Sequence, residues 1–205
     1  MGNKINTIGY RLGVSKDWKS KWFAEGKEYG KYVIEDFRIR DFLKKRLSNS
    51  GLESVIIERS INEVNILLKV ARPGIVIGKG GAGVALLKVD ISKLTKSKIS
   101  ITVEEVKKPE TSAVLIADNV ARQIERRVHY RRAVLGALGK AVDNKVKGIK
   151  IKVGGVLSGA NSISRVEVYK DGSIPQTTLK ADIDYGESPA TTSYGVIGVR
   201  VWVYK

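Results

Sequence analysis

Hydrophobic positions in the first half of the chain follow a helical spacing and then a strand-like one. Apolar side chains recur mostly every three to five residues between Lys31 and Leu47, which predicts an amphipathic helix that ends before Gly51. Its apolar positions are Val33, Ile34, Phe37, Phe42, Leu43 and Leu47. The predicted order of elements is helix 31–47, strand 54–58, strand 63–70, glycine-rich loop 78–83, helix 84–94 and strand 99–103.

A second helical pattern begins after Lys107–Pro109, where proline disfavours a continuing strand, so we place a domain boundary there. Its apolar stripe is Val114, Ala117, Ala121, Ile124 and Val128, and the series restarts out of register at Val134, Leu138 and Ala141. The lost register predicts a turn or kink near His129 and Tyr130. Four arginines surround this predicted break: Arg126, Arg127, Arg131 and Arg132.

The last third of the chain alternates with a period of two in four runs separated by glycine-containing turns. This pattern predicts a small antiparallel sheet covered on one face by the helices of the same half. Asp182 and Asp184 flank Ile183 in one run, and we expect them to form ion pairs with Lys150 and Lys152 of another strand rather than to bind a metal. Helices and sheets in both halves indicate an α/β chain of the α+β kind.

The composition favours a nucleic-acid partner. The 37 lysines and arginines exceed the 21 acidic residues, which gives a net charge of +16, and the excess is positive in 1–50, 51–111 and 112–205 alike. A cationic folded body attracts polyanions and releases their counterions. The absence of cysteine and the single His129 exclude thiolate chemistry and any site built from two histidines. No run is long enough to span a membrane, so we expect a cytoplasmic protein.

The glycine-rich loop fits three kinds of phosphate-binding motif to different degrees. A phosphate loop of an NTPase is excluded, because Gly80 stands where that motif needs a hydroxyl. A dinucleotide-binding loop stays open, since Gly78, Gly80 and Gly83 have its spacing and Glu104 follows at the end of the next strand. The third interpretation takes Gly78 and Gly81 as the Gly-x-x-Gly loop of a KH module, which clamps single-stranded nucleic acid.

Six segments spread along the chain resemble one family, the bacterial-type ribosomal protein three of the small subunit. The matching segments are Gly9–Gly13, Trp22–Ala24, Ala71–Lys79, Glu125–Arg127 with Arg131-Arg132, Ala181–Tyr185 and Thr191–Val199. The resemblance implies a type II KH domain at 17–108 after an N-terminal extension at 1–16, and a C-terminal domain of two helices and an antiparallel sheet at 109–205. It implies no enzyme activity, no cofactor and no metal.

The resemblance also implies partners. These are the 3′ major domain of small-subunit rRNA in the subunit head, messenger RNA, and neighbouring head proteins, among them numbers ten and fourteen. Members of the family use basic residues on the helix pair to line the channel through which messenger RNA enters and to help unwind it. Carried over to this sequence, the RNA-binding candidates are Arg72, Gly78, Lys79, Gly80, Gly81, Arg126, Arg127, Arg131 and Arg132.

The sequence departs from the family pattern in ways that affect these candidates. Gly80 replaces the second basic residue of the loop, and Leu135 and Gly136 replace further basic residues after the double arginine. For Arg131 and Arg132, messenger RNA and rRNA both stay open as ligands, whereas we favour rRNA for Arg126 and Arg127. The competing classes are a ribosomal RNA-binding protein, a freestanding KH regulator and a nucleotide-cofactor enzyme.

Overall fold

A computed structural model describes residues 4–60, 63–95, 97–157 and 163–205 of the chain. The chain forms two compact units. We call Trp18–Lys107 the glycine-loop unit, and Lys108–Lys205 together with the residues up to Asp17 the C-terminal unit. Each unit contains its own four-stranded sheet and its own hydrophobic core, which confirms the α+β fold predicted from the sequence.

The glycine-loop unit follows the predicted order of elements with two additions, a short strand before the first helix and a short helix before the glycine loop. Its elements are β1 (Ser20–Lys21), α2 (Gly26–Arg46), β2 (Leu52–Arg59), β3 (Glu63–Val70), α3 (Pro73–Ile77), α4 (Ala82–Ser92) and β4 (Lys98–Glu105). The sheet order is β1-β2-β3-β4, with β2 and β3 antiparallel and β4 parallel to β3. Helix α3 was not predicted, because Pro73-Gly74 is typical of a break between secondary-structure elements. Proline here occupies the first turn, where a helix tolerates it.

Helix α2 is longer than predicted, and the predicted apolar stripe is wrong in its first half. Three of its positions, Val33, Ile34 and Phe37, are 42%, 54% and 71% exposed. The buried line of the helix instead includes Asp36, Ile39 and Leu43, at spacings of three and four. The apolar pattern missed this line because a carboxylate is one of its members.

Asp36 joins three elements of the glycine-loop unit. The Arg59 guanidinium donates to Asp36 Oδ1 from Nε at 2.9 Å and from Nη2 at 2.6 Å, while the Trp22 indole and the Ser20 hydroxyl donate to Oδ2 at 2.9 and 3.1 Å. Arg59 also lies over the Tyr32 ring at 4.7 Å. Both Arg59 donors reach the same oxygen of a buried carboxylate whose other oxygen accepts from Trp22 and Ser20, so the network fixes the geometry of these elements.

The C-terminal unit is the predicted two-helix layer on an antiparallel sheet. Its elements are α1 (Thr7–Arg11), α5 (Ala113–Glu125), α6 (Tyr130–Asp143), β5 (Gly148–Gly155), β6 (Arg165–Gly172), β7 (Ile183–Thr192) and β8 (Gly195–Tyr204). The sheet order is β6-β5-β8-β7, antiparallel at every pairing. Alternate residues of β5 and β8, among them Ile151 and Val201, are fully buried and form one core with α5 and α6.

The N-terminal segment with α1 packs on β7 through one buried arginine. Arg11 is fully buried, and its guanidinium donates to the backbone carbonyls of Ala181 and Thr178 at 2.7 Å each and of Gln176 at 3.2 Å. Backbone oxygens thus take the place of a carboxylate partner for this cation. The segment before β7 is therefore held in place by a residue some 170 positions away in sequence.

The expected ion pairs of Asp182 and Asp184 with Lys150 and Lys152 are wrong in their partners. Lys16 Nζ lies 2.6 Å from Asp182, and Lys205 Nζ lies 3.6 Å from Asp184. Asp184 also accepts a hydrogen bond from the backbone N–H of Ala113 at 3.1 Å, at the start of α5. The register pairs Asp184 with Val203 on the helix-facing side of the sheet, whereas Lys150 and Lys152 lie on the opposite side. The expected face was therefore wrong for Asp184, as were the partners of both carboxylates.

Replacing Arg11 with alanine would leave several buried carbonyls without a donor. We expect the Arg11→Ala variant to lose about 3 kcal/mol of unfolding free energy, because unsatisfied buried polar groups carry their full desolvation cost. Urea unfolding of the full chain measures this, with the exposed Arg38→Ala as the control that changes charge equally. Equal stability of the two variants would contradict the structural role of Arg11.

Candidate nucleic-acid interface

The glycine loop lies between two helices. Helix α3 ends at Ile77, a short 3-10 turn covers Lys79–Gly81, and α4 begins at Ala82. Gly78 has φ +69° and ψ −176°, a conformation open essentially to glycine alone. The turn exposes Lys79 and the N-terminal end of an eleven-residue helix together, and both attract phosphate.

Gly83 holds this loop against α3, and the KH pattern did not identify it. A Cβ built on Gly83 would lie 2.4 Å from the carbonyl oxygen of Val76, and one on Gly78 would lie 3.0 Å from the backbone nitrogen of Gly83. The two helices can therefore approach only where these side chains are absent. The spacing that suggested a dinucleotide site instead reflects this close contact.

The backbone conformation at position 80 favours glycine. Its φ of +61° and ψ of +22° are left-handed, a conformation that costs an L-residue with a side chain about 1–2 kcal/mol. The loop thus avoids this strain and carries one cation, Lys79, instead of two. Arg72 lies exposed at the start of α3, at the other end of that short helix.

The dinucleotide interpretation does not fit the geometry. That motif places its glycines directly between a strand and a helix, whereas α3 separates β3 from the loop. Glu104, the expected ribose ligand, instead lies 3.7 Å from Lys69 Nζ on the neighbouring strand. We therefore reject this alternative.

The predicted helix break is confirmed. Helix α5 ends at Glu125 and α6 begins at Tyr130, with Arg127 in a left-handed conformation at φ +63° between them. The His129 imidazole accepts from the backbone N–H of Arg131 at 3.3 Å and so caps α6. The structure brings all four predicted arginines to the ends of the two helices, and it leaves every one of them exposed: Arg126, Arg127, Arg131 and Arg132.

Glu167 on β6 positions Arg131, and the sequence analysis missed it. Its carboxylate accepts from the Tyr169 hydroxyl at 2.6 Å, from the Tyr130 hydroxyl at 2.8 Å and from Arg131 Nη2 at 3.3 Å. The hydrogen bond from Tyr169, followed by that from Tyr130, lowers the pKa of Glu167 to about 2. The pKa of Arg131 is raised, chiefly by its hydrogen bond to Glu167.

Because of this network, Arg131 and Arg132 differ in the positive charge that they can offer to a ligand. Arg131 shares its charge with a carboxylate, while Arg132 forms no ion pair within the described ranges. The alternation of β6 contained a signal for Glu167. Val166 and Val168 point away from the helices, so Glu167 between them points toward the helix break.

Neither a metal-binding cluster nor a membrane-spanning helix occurs among the described residues. Over that part of the chain, three or more histidine, cysteine or acidic side chains do not come together in a way that could hold a metal ion. No helix there has the length and apolar character needed to cross a membrane.

Adding one methyl group at Gly83 should move α4 away from α3. We expect Gly83→Ala to lose about 1–3 kcal/mol of unfolding free energy, because the clash is with backbone. Gly136→Ala in α6 is the matched control, since nothing lies within 4 Å of its added carbon, and it should gain up to about 1 kcal/mol. Urea unfolding distinguishes them, and two variants of equal stability would refute the close contact.

The Glu167 network also predicts a pH response. The carboxylate should titrate near pH 2, and Tyr169→Phe should raise its midpoint toward the ordinary value of glutamate. Because the folded pKa is below the unfolded one, the contribution of Glu167 to stability is present above the unfolded pKa and is lost as the pH falls through the folded one. Carboxyl-carbon NMR follows the titration; an unchanged midpoint in Tyr169→Phe would exclude the hydroxyl as its main cause.

Comparison with known proteins covers both units. The family described as "KH domain" matches residues 38–111, and the family described as "Ribosomal protein S3, C-terminal domain" matches residues 120–203.

Three similar proteins are each named "Small ribosomal subunit protein uS3". Those of Pelagibacter ubique, Agathobacter rectalis and Dichelobacter nodosus are 46%, 47% and 48% identical to this chain over its whole length, and the match covers 90%, 93% and 85% of their own lengths. The chain belongs to the small ribosomal subunit protein uS3 family.

Proposed function

We propose that this chain is a structural constituent of the small ribosomal subunit head, in the cytoplasm, where it binds small-subunit rRNA of the 3′ major domain and lines the channel by which messenger RNA enters. In this proposal residues 17–108 form a type II KH domain and residues 109–205 the C-terminal domain. Its protein neighbours are head proteins, among them numbers ten and fourteen. Family membership and the net charge of +16 support the assignment.

The observation that carries the messenger role is the helix break. Four exposed arginines surround a turn that is fixed by a histidine cap and by the Glu167 network. Guanidinium groups stay charged and pair bidentately with phosphate, so a fixed set of them favours a single strand held along its backbone. We assign Arg131 and Arg132 to messenger RNA, and Arg126 and Arg127 to rRNA.

The proposed unwinding is passive. The arginines hold the phosphates of the incoming strand, so the separated state of a messenger hairpin is stabilised relative to the duplex. Translocation by the ribosome supplies the work, and no nucleotide hydrolysis by this chain is involved. The glycine loop supplies a second contact to RNA through Gly78, Lys79, Gly80 and Gly81, with Arg72 near it.

Removing both candidate channel arginines tests the messenger role. We expect Arg131→Ala/Arg132→Ala subunits to read through a stable messenger hairpin at least several-fold more slowly, with unchanged rates on unstructured messenger. Of the single variants, Arg132→Ala should have the larger effect, because the charge of Arg131 is shared with Glu167. Timed translation by purified ribosomes gives the rates.

The control is Arg38→Ala/Arg46→Ala on α2, which removes the same charge from exposed positions. Both double variants should stay with small subunits through a high-salt wash. A defect in assembly without slower hairpin reading would assign the arginines to rRNA alone. Recovery of the wild-type chain apart from subunits would contradict the ribosomal role and favour a freestanding RNA-binding protein.

A further inference from the structure

The C-terminal sheet has a cationic outer face, which we call the lysine face: Lys150 and Lys152 on β5, Lys170 on β6 and Arg200 on β8. Lys150 is paired with Lys170 across the β5–β6 ladder, and Lys152 is paired with Arg200 across the β5–β8 ladder. The intervening residues of β5 are fully buried against α5 and α6, so the alternation of the strand places these cations on the opposite side.

Among the described residues, a carboxylate pairs with only one of the four cations of this face, Arg200. The two aspartates expected there pair with Lys16 and Lys205, and Glu187 on β7 lies 3.8 Å from Arg200 while accepting from the Tyr185 hydroxyl at 2.6 Å. Within the described ranges the three lysines of the face form no ion pair.

Lys150 lies at the centre of the cluster, among other positive charges. The pKa of Lys150 is lowered, first by burial and then by the positive charges of Lys4, Lys152 and Lys170. Its ammonium lies 5.1 Å from the centre of the Trp202 ring, a contact that partly compensates for the missing carboxylate. A polyanion laid on this face would relieve the repulsion.

A flat surface formed by Gly154 and Gly198, which we call the glycine floor, adjoins the cations. Gly154 and Gly198 are paired across β5 and β8, and neither carries a side chain that would rise above the sheet. Val166, Val168 and Val196 are 60%, 50% and 60% exposed on the same side. A ribose-phosphate chain fits both features, because its sugars can approach a surface without side chains closely while its phosphates meet the cations.

We propose that the lysine face is a further RNA-binding surface that receives the backbone of small-subunit rRNA, with Lys150, Lys152 and Lys170 at phosphates and the glycine floor beneath the riboses. The choice of rRNA rests on the proposed ribosomal function. Unpaired cations on a ladder fit a repeating line of negative charge better than they fit a protein surface, on which acidic groups are scattered.

A tethered probe tests the location. The sequence contains no cysteine, so Val168→Cys provides a unique thiol on the lysine face for an iron–EDTA probe in small subunits assembled with the full chain. We expect cleavage of rRNA at a discrete set of nucleotides, different from those cut by a probe at Phe37→Cys on α2. No cleavage from position 168, or crosslinking of that thiol to a neighbouring protein instead, would overturn the proposal.

Removing the three lysine charges tests how much they contribute to the affinity for rRNA. The variant Lys150→Gln/Lys152→Gln/Lys170→Gln keeps much of the aliphatic stem at each position and should reduce the slope of log affinity for rRNA against log salt by about 2–3, because each phosphate contact contributes roughly 0.7–0.9. The control with equal charge loss, Lys27→Gln/Lys31→Gln/Lys44→Gln on α2, should change the slope less. Equal unfolding midpoints establish that both variants fold.

The outcomes separate this inference from the function on which it rests. If wild-type chain and both variants enter subunits but the lysine-face variant keeps the wild-type slope, only the inference fails. The same holds if the two triple variants lose equal slope, because the effect would then be one of net charge. If the wild-type chain itself does not enter small subunits, the ribosomal function fails.

Discussion

The rest of the structure depends on how the few acidic side chains are used. Asp36 is buried against Arg59, Glu167 is held by two tyrosine hydroxyls, and Asp184 accepts from the start of α5. These carboxylates hold the frame of each unit, and two of them also pair with a surface cation, Glu167 with Arg131 and Asp184 with Lys205. With 37 cations and 21 acids in the sequence, the remaining positive charge must face outward on rigid elements, where a polyanion can compensate it.

Rigid display distinguishes this surface from a basic tail. Lys79 is presented by a turn that only glycines can form, and Arg131 by a helix start that His129 caps and Glu167 holds. Because Glu167 already holds the Arg131 side chain, binding loses less side-chain entropy there, while the turn fixes the backbone that carries Lys79. At position 80 a side chain would strain the left-handed backbone, and glycine stands there in place of a second loop cation.

Hydrophobic periodicity predicted the elements well, and it predicted polar packing poorly. The sheet of the C-terminal unit and the break near His129 followed from the spacing of apolar residues, since burial of one face sets that spacing. The buried line of α2, the fully buried Arg11 and the role of Glu167 were missed. Each depends on a charged side chain whose partner is distant in sequence. The alternation of β6 indicates the face of Glu167, but it does not indicate which residues contact it.

Lysine reactivity in the free chain and in washed small subunits tests the central claim most directly, because one acylation experiment read by mass spectrometry reports every surface at once. We expect strong protection in the subunit at Lys79, Lys152 and Lys170, which have no carboxylate partner among the described residues. We expect little change at Lys45 and Lys93, which pair with the nearby Asp41 and Asp90. Equal reactivity of the unpaired lysines in the two states would contradict the account.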